Sequence, residues 1–189
     1  MTKANPLAWL LFVYDVPDKP SRTKVRIWRQ LKALGAVYPQ MSFCILPDSG
    51  AVRSHLKDLT SILQLYGTPL VLRAKPAEAS HSRGLLKLFK QDVEKEYQEL
   101  LEECDEFLDE IKKNLATGNV TQTEVSELEA ALEGLERWFT RIKARDIAKP
   151  RTRLKVRRLL AHCHDALLTF SEKAQPKTPN QPQRSDHRL

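Results

Sequence analysis

The first stretch of strong patterning is residues 7–14, a near-continuous apolar run of the kind a central strand shows when both its faces are covered. Asp18, Pro20 and Ser21 follow as helix-start signals. Val25, Trp28, Leu31 and Leu34 then recur at helical spacing and are expected to pack inward, and Gly35 ends the run. Residues 36–41 and 42–46 read as two strands with a tight bend near 40–42. Pro47-Asp48-Ser49-Gly50 opens a second helix whose apolar face is Leu56, Leu59 and Leu63, closed by Gly67. Residues 68–74 predict a last strand, in which Pro69 is tolerated only near the start. Strand, helix, strand, strand, helix, strand buries its faces most simply as a four-stranded antiparallel sheet with both helices on one side. That is the ferredoxin-like arrangement, and the fold class expected is α+β.

After Pro76 the period changes. Leu85, Phe89, Val93, Tyr97, Leu100, Cys104, Phe107, Ile111 and Leu115 are spaced by threes and fours, predicting one helix over 80–115, about 50 Å long. Gly118 suits its C-terminal cap. Thr121-Gln122-Thr123-Glu124 fits a capping box in which hydroxyl and carboxylate reciprocally satisfy backbone amides. Val125, Leu128, Leu132, Leu135, Phe139 and Ile142 carry the second arm of an antiparallel helical hairpin. Pro150 is expected at the first position of a third helix, with Val156, Leu159/Leu160, Cys163, Leu167 and Phe170 on one face. From Gln175 the chain is polar and Pro-rich, as disordered tails are. The division expected is a ferredoxin-like domain at 1–76, the helical hairpin with its C-terminal helix at 77–174, and a tail at 175–189.

Composition narrows the class. With 189 residues, 41% hydrophobic and only 6 Gly, the chain can bury a core and is neither collagenous nor wholly disordered. The apolar run at 7–14 is too short to span a bilayer. Asp15, Pro17, Asp18 and Lys19 stand where a signal peptidase would need small residues, so a cytoplasmic chain is expected, without membrane contact. Cys44, Cys104 and Cys163 are odd in number and far apart, which argues against disulfide or zinc scaffolds and for buried thiols.

Charge is segregated. Residues 1–90 hold 14 Lys and Arg against 5 Asp and Glu, residues 91–136 hold 3 against 15, and residues 137–189 hold 14 against 4. Two basic surfaces flank an acidic rod. They could attract nucleic acid or small oxyanions, or dock the rod internally. Arg22, Arg26 and Arg29 recur on one face of the first helix, a candidate phosphate-contacting surface on which no aromatic is interleaved for base stacking. The second cluster is Arg137, Arg141 and Arg145, continuing as Arg151, Arg153, Lys155, Arg157 and Arg158. Arginines near a helix N-terminus oppose its dipole unless an anion offsets both, and guanidinium forks suit tetrahedral oxyanions.

Catalytic signals are few. His162-Cys163-His164 places neighbours about 100° apart on a helix, so they cannot converge as a dyad. No phosphate-binding loop, G-x-S-x-G or dinucleotide fingerprint occurs, and no cofactor is expected. Asp15, at the end of the first strand, could hold a divalent ion if a dimer paired two such carboxylates, or act as a turn carboxylate. The reading is of a non-enzyme, with a metal-dependent nuclease built on Asp15 as the alternative.

Trp9-Leu10-Leu11-Phe12-Val13-Tyr14-Asp15-Val16-Pro17, with Ser21-Arg22, Trp28-Arg29, Leu31-Lys32 and Leu34-Gly35-Ala36, resembles the start of the amino-terminal domain of the chromate-resistance protein ChrB family. Arg137-Trp138, Arg141-Ile142, Ala144-Arg145-Asp146, Cys163 and Phe170 are similar to that family's distal helices, so the likeness runs over about 7–174. It implies a bacterial cytoplasmic protein tied to chromate resistance, and DNA, chromate or another oxyanion as partners. Longer members act as chromate-responsive transcriptional regulators of an efflux transporter and continue into a second domain where this sequence ends. That implies a regulator or accessory subunit, working with a separate carboxy-terminal-domain chain; read from the residues alone, the helical hairpin could instead be a dimerisation rod that makes the chain a homodimer. A narrower likeness over 10–46, in Val13-Tyr14-Asp15-Val16-Pro17-Asp18, Arg22-Thr23-Lys24-Val25 and Leu34-Gly35, is to the ferredoxin-like subunit of the CRISPR adaptation complex, in which Asp15 would match a metal-site aspartate.

Overall fold

A computed structural model describes residues 8–16, 21–40 and 43–174. Asp18 and Pro20, the bend at 41–42 and the tail from 175 fall outside these. Nine elements follow in order: β1 (Trp9–Val13), α1 (Ser21–Ala33), β2 (Val37–Gln40), β3 (Phe43–Pro47), α2 (Gly50–Leu63), β4 (Leu70–Ala74), α3 (Ala79–Thr117), α4 (Gln122–Arg145) and α5 (Thr152–Ala174). The sheet runs β2-β3-β1-β4 and every pairing is antiparallel. This is the α+β, ferredoxin-like connectivity that the strand and helix order predicts.

Alternation along the strands divides the sheet into two faces. Leu10 and Phe12 of β1 and Cys44 and Leu46 of β3 face α1 and α2, where Ile27, Leu31, Val52, Leu56, Leu59 and Leu63 close a core. On the opposite face Trp9, Val37 and Ile45 are covered by Phe89 of α3, and the Trp9 and Phe89 rings stack at 4.9 Å. β1 therefore reads as a continuous apolar run because helices lie on both sides of it.

In α1 the buried stripe is Ile27 and Leu31, whereas Val25 is 45% and Trp28 49% exposed. The inward face expected through Val25 and Trp28 is thus corrected. A four-residue step from Ile27 to Leu31 gives the same period as the Val25–Trp28–Leu31 steps, rotated on the helix, and spacing alone does not choose between them.

α3 is 39 residues long, about 58 Å of unbroken helix. Its first third crosses the sheet and the rest packs with α4 and α5 in a third core containing Tyr97, Leu100, Cys104, Phe107, Leu128, Ile142, Val156, Cys163 and Phe170. Gly118 ends it at φ 73°, a left-handed cap that suits glycine. Thr121 caps α4 by accepting from Glu124 N at 3.2 Å. The Glu124 carboxylate does not return to the cap: it accepts from Asn114 Nδ2 of α3 at 2.8 Å. The capping box is half formed, its other half exchanged for a tie between the hairpin arms. α5 starts at Thr152, and Pro150 lies in the preceding turn, where its carbonyl accepts from Arg153 N.

Candidate anion-binding surface

The α4–α5 turn is built on one carboxylate. Asp146, its side chain wholly buried, accepts from the backbone N–H groups of Ala148 at 3.0 Å and Lys149 at 2.7 Å. It also accepts from the Tyr97 hydroxyl at 3.1 Å and pairs with Arg153 at 3.5 Å. Lys149 has φ 46°, a left-handed conformation uncommon outside glycine and asparagine, and the Asp146 acceptor holds it there. Burial, then the Asp146 charge, pushes the Tyr97 phenol well above its ordinary range, so it stays a donor.

Around this turn lies a cleft of about 330 Å³ lined by Phe139, Lys143, Lys149, Arg151, Leu154 and Arg157, together with Pro150 and Arg153. Arg153 is engaged by Asp146. Lys143, Lys149, Arg151 and Arg157 are exposed and, among the described residues, no ion pair engages them. The start of α5 adds the positive end of a 23-residue helix. Four cations converge on a hydrophobic floor of Phe139 and Leu154, with a carboxylate-braced turn as scaffold.

The structure sorts the arginines that the sequence singles out. Arg145 is only 12% exposed and ion-paired with Glu96 of α3, so its guanidinium serves the interior. Arg137 pairs with Glu133 one turn back at 3.0 Å. Arg141, Arg151, Lys155, Arg157 and Arg158 are exposed. So are Arg22, Arg26 and Arg29, which line a shallow groove with Val25 and Gln30. Trp28 is exposed on the same helix but does not line that groove.

Internal docking of the acidic stem is real but partial. Lys32 of α1 donates to Asp92 at 2.5 Å, and Arg145 engages Glu96. Farther along α3, Glu99, Glu102, Glu103, Asp105, Glu106 and Glu110 remain exposed.

Sequence windows missed Lys143, Lys149 and the α3 lysines Lys87, Lys90 and Lys95, which lie around Glu94. Glu94 Oε1 accepts from Thr152 Oγ1 at the start of α5, while its buried Oε2 has no partner among the described residues. That contact brings the basic end of α3 beside the α5 cluster. Helical position, rather than a charge sum that lumps Lys95 with the acidic stretch, would have shown it.

Asp15 is exposed just past β1. Among the described residues no group of three or more His, Cys, Asp or Glu is placed to hold a metal ion. All three cysteines are buried, and burial pushes the Cys44 thiol up to about 12. His162 and His164 are exposed on either side of buried Cys163. Among the described residues no helix is long and apolar enough to cross a membrane.

A family model described as protein ChrB, N-terminal, matches residues 24–179. Over 88 residues the chain is 32% identical to protein ChrB of Cupriavidus metallidurans, a match taking 46% of this chain and 27% of that relative. The chain thus spans about a quarter of the curated protein's length.

Proposed function

Since the chain belongs to the ChrB N-terminal family, which is linked to chromate resistance, we propose that it acts there as a DNA-associated regulator or accessory subunit. The observation that carries this is the cleft at the α4–α5 turn, whose exposed cations have no ion-pair partner among the described residues while Arg145 and Arg153 are engaged by carboxylates. Exposed Lys and Arg side chains on a fixed turn suit backbone phosphates, which position a protein on nucleic acid without reading sequence. The α1 face supplies a second set in Arg22, Arg26 and Arg29. The whole-protein role of the longer relative comes to this chain only as part of the proposal.

Fluorescence anisotropy with duplex DNA across 50–300 mM salt tests it. Binding should weaken steeply, with a log–log slope near −0.9 for each phosphate neutralised. A flat salt response, or no binding at the lowest salt, would overturn the reading. Chromate and sulfate added as competitors show whether a tetrahedral dianion occupies the same cations.

A further inference from the structure

β4 is the open edge of the sheet: it pairs with β1 and, among the described residues, with no other strand. Neither core that sandwiches the sheet includes a β4 residue. Register with β1 places Leu70, Leu72 and Ala74 on the α3 side and Val71 and Arg73 on the α2 side. Leu70 is 49%, Val71 40% and Leu72 51% exposed, so both faces of the strand are uncovered. Six of the eleven large apolar side chains exposed among the described residues fall between Ile62 and Leu72. That concentration is the mark of an interaction surface.

Natural edge strands guard themselves with charge, bulges or proline. Here Pro69 precedes the strand, and its one charge, Arg73, is ion-paired within the chain with Asp48 at 2.7 Å, a carboxylate that also holds Arg53 at 2.5 Å. Apart from that paired guanidinium the strand is apolar, although the chain carries a net charge of +7.

We propose that β4 pairs with β4 of a second copy of this chain, antiparallel about a two-fold axis through Leu72, to make a continuous eight-stranded sheet. This register sets Leu72 against Leu72, Leu70 against Ala74, and Val71 against the aliphatic stem of Arg73. A two-fold axis normal to the sheet keeps both faces in step, so each uncovered side chain gains a cross-strand neighbour. Self-pairing is favoured because the same strand supplies apolar residues on both faces, and its one cation, already tied to Asp48, is set against Val71 rather than against its own copy. The tail at 175–189 is poorly suited to the edge: it contains three prolines and one large apolar residue, Leu189. Isologous pairing of this kind is the usual route to a closed dimer.

Sedimentation equilibrium of the whole chain without DNA, over a micromolar concentration series, should give twice the 21.7 kDa chain mass. Screening of the net positive charge should strengthen this association as salt rises, opposite to DNA binding, so the two readings fail separately. Leu72→Asp should stay folded by circular dichroism, since the side chain is half exposed, and should sediment as a monomer. Leu72→Cys should form a disulfide-linked dimer on a non-reducing gel, because the axis sets residue 72 opposite itself. Leu168→Cys, exposed on α5, should not. A monomer at every concentration, a dimer indifferent to Leu72→Asp, or equal cross-linking of the two cysteine variants overturns the proposal. So does a monomer that takes an extended peptide at β4.

Discussion

A Cβ placed on Gly35 would lie 3.0 Å from the Cβ of Arg145, so the glycine that ends α1 is also the residue on which the end of α4 rests. Gly35 has φ 83°, a conformation open to glycine and costly for other residues. Two independent demands, dihedral and space, therefore meet at one position. Gly35→Ala should destabilise the chain by about 2–3 kcal/mol, more than either demand alone, as read from urea denaturation midpoints.

Arg145 itself is held by Glu96 in a largely buried pair. Truncating one partner leaves the other charge poorly solvated, which costs more than the pair contributes. Arg145→Met should lower stability by about 2–3 kcal/mol while leaving the salt slope of DNA binding unchanged. Replacing Glu96 by Gln in the same background should recover part of the loss, since the unpaired carboxylate is then gone.

Arg151 and Arg157 line the cleft and carry no internal pairing among the described residues. Arg151→Ala with Arg157→Ala should change thermal stability by less than about 0.5 kcal/mol. The same double substitution should weaken DNA binding uniformly across sequences and reduce the salt slope by about 2. An unchanged slope would place the phosphate contacts elsewhere, with the α1 arginines next to be tested.

Tyr97→Phe removes a hydroxyl donor from buried Asp146 and should cost about 1–3 kcal/mol at neutral pH. The phenol's folded pKa is raised, so its contribution is fully present below the unfolded value near 10. It is lost as pH climbs from there through the raised folded value. The wild-type chain should therefore lose stability above about pH 10 more steeply than the variant. Tyr14 and Tyr38, also raised by burial, keep some slope in both. Denaturant titrations at pH 9, 10 and 11 check this.

The sheet connectivity and the three long helices were legible because each stage of the chain keeps one hydrophobic period. Phe89 reads as one more step in the α3 stripe, yet its partner is Trp9 rather than a helix. Periodicity says that a face is buried but not what buries it. The same limit hid the exposed Trp28: Ile27 and Leu31 satisfy the helical spacing equally well. In the candidate site, Arg151 and Arg157 were visible as charge. The separation of Arg145 and Arg153 from them was not, since it depends on Glu96 and Asp146 approaching from other elements. Lys149 was hidden by its turn, where the backbone conformation rather than a helical repeat aims the side chain.

Helix α3 belongs to two cores at once. Cutting the chain at residue 76 would remove Phe89 and leave the indole of Trp9 facing water, so the six-element half is not a free-standing module. Loss of order at one end of that helix should propagate to the other, and a calorimeter should record melting as a single event rather than two. Truncations, fusions and affinity tags are accordingly better placed outside residues 8–174 than between the two halves.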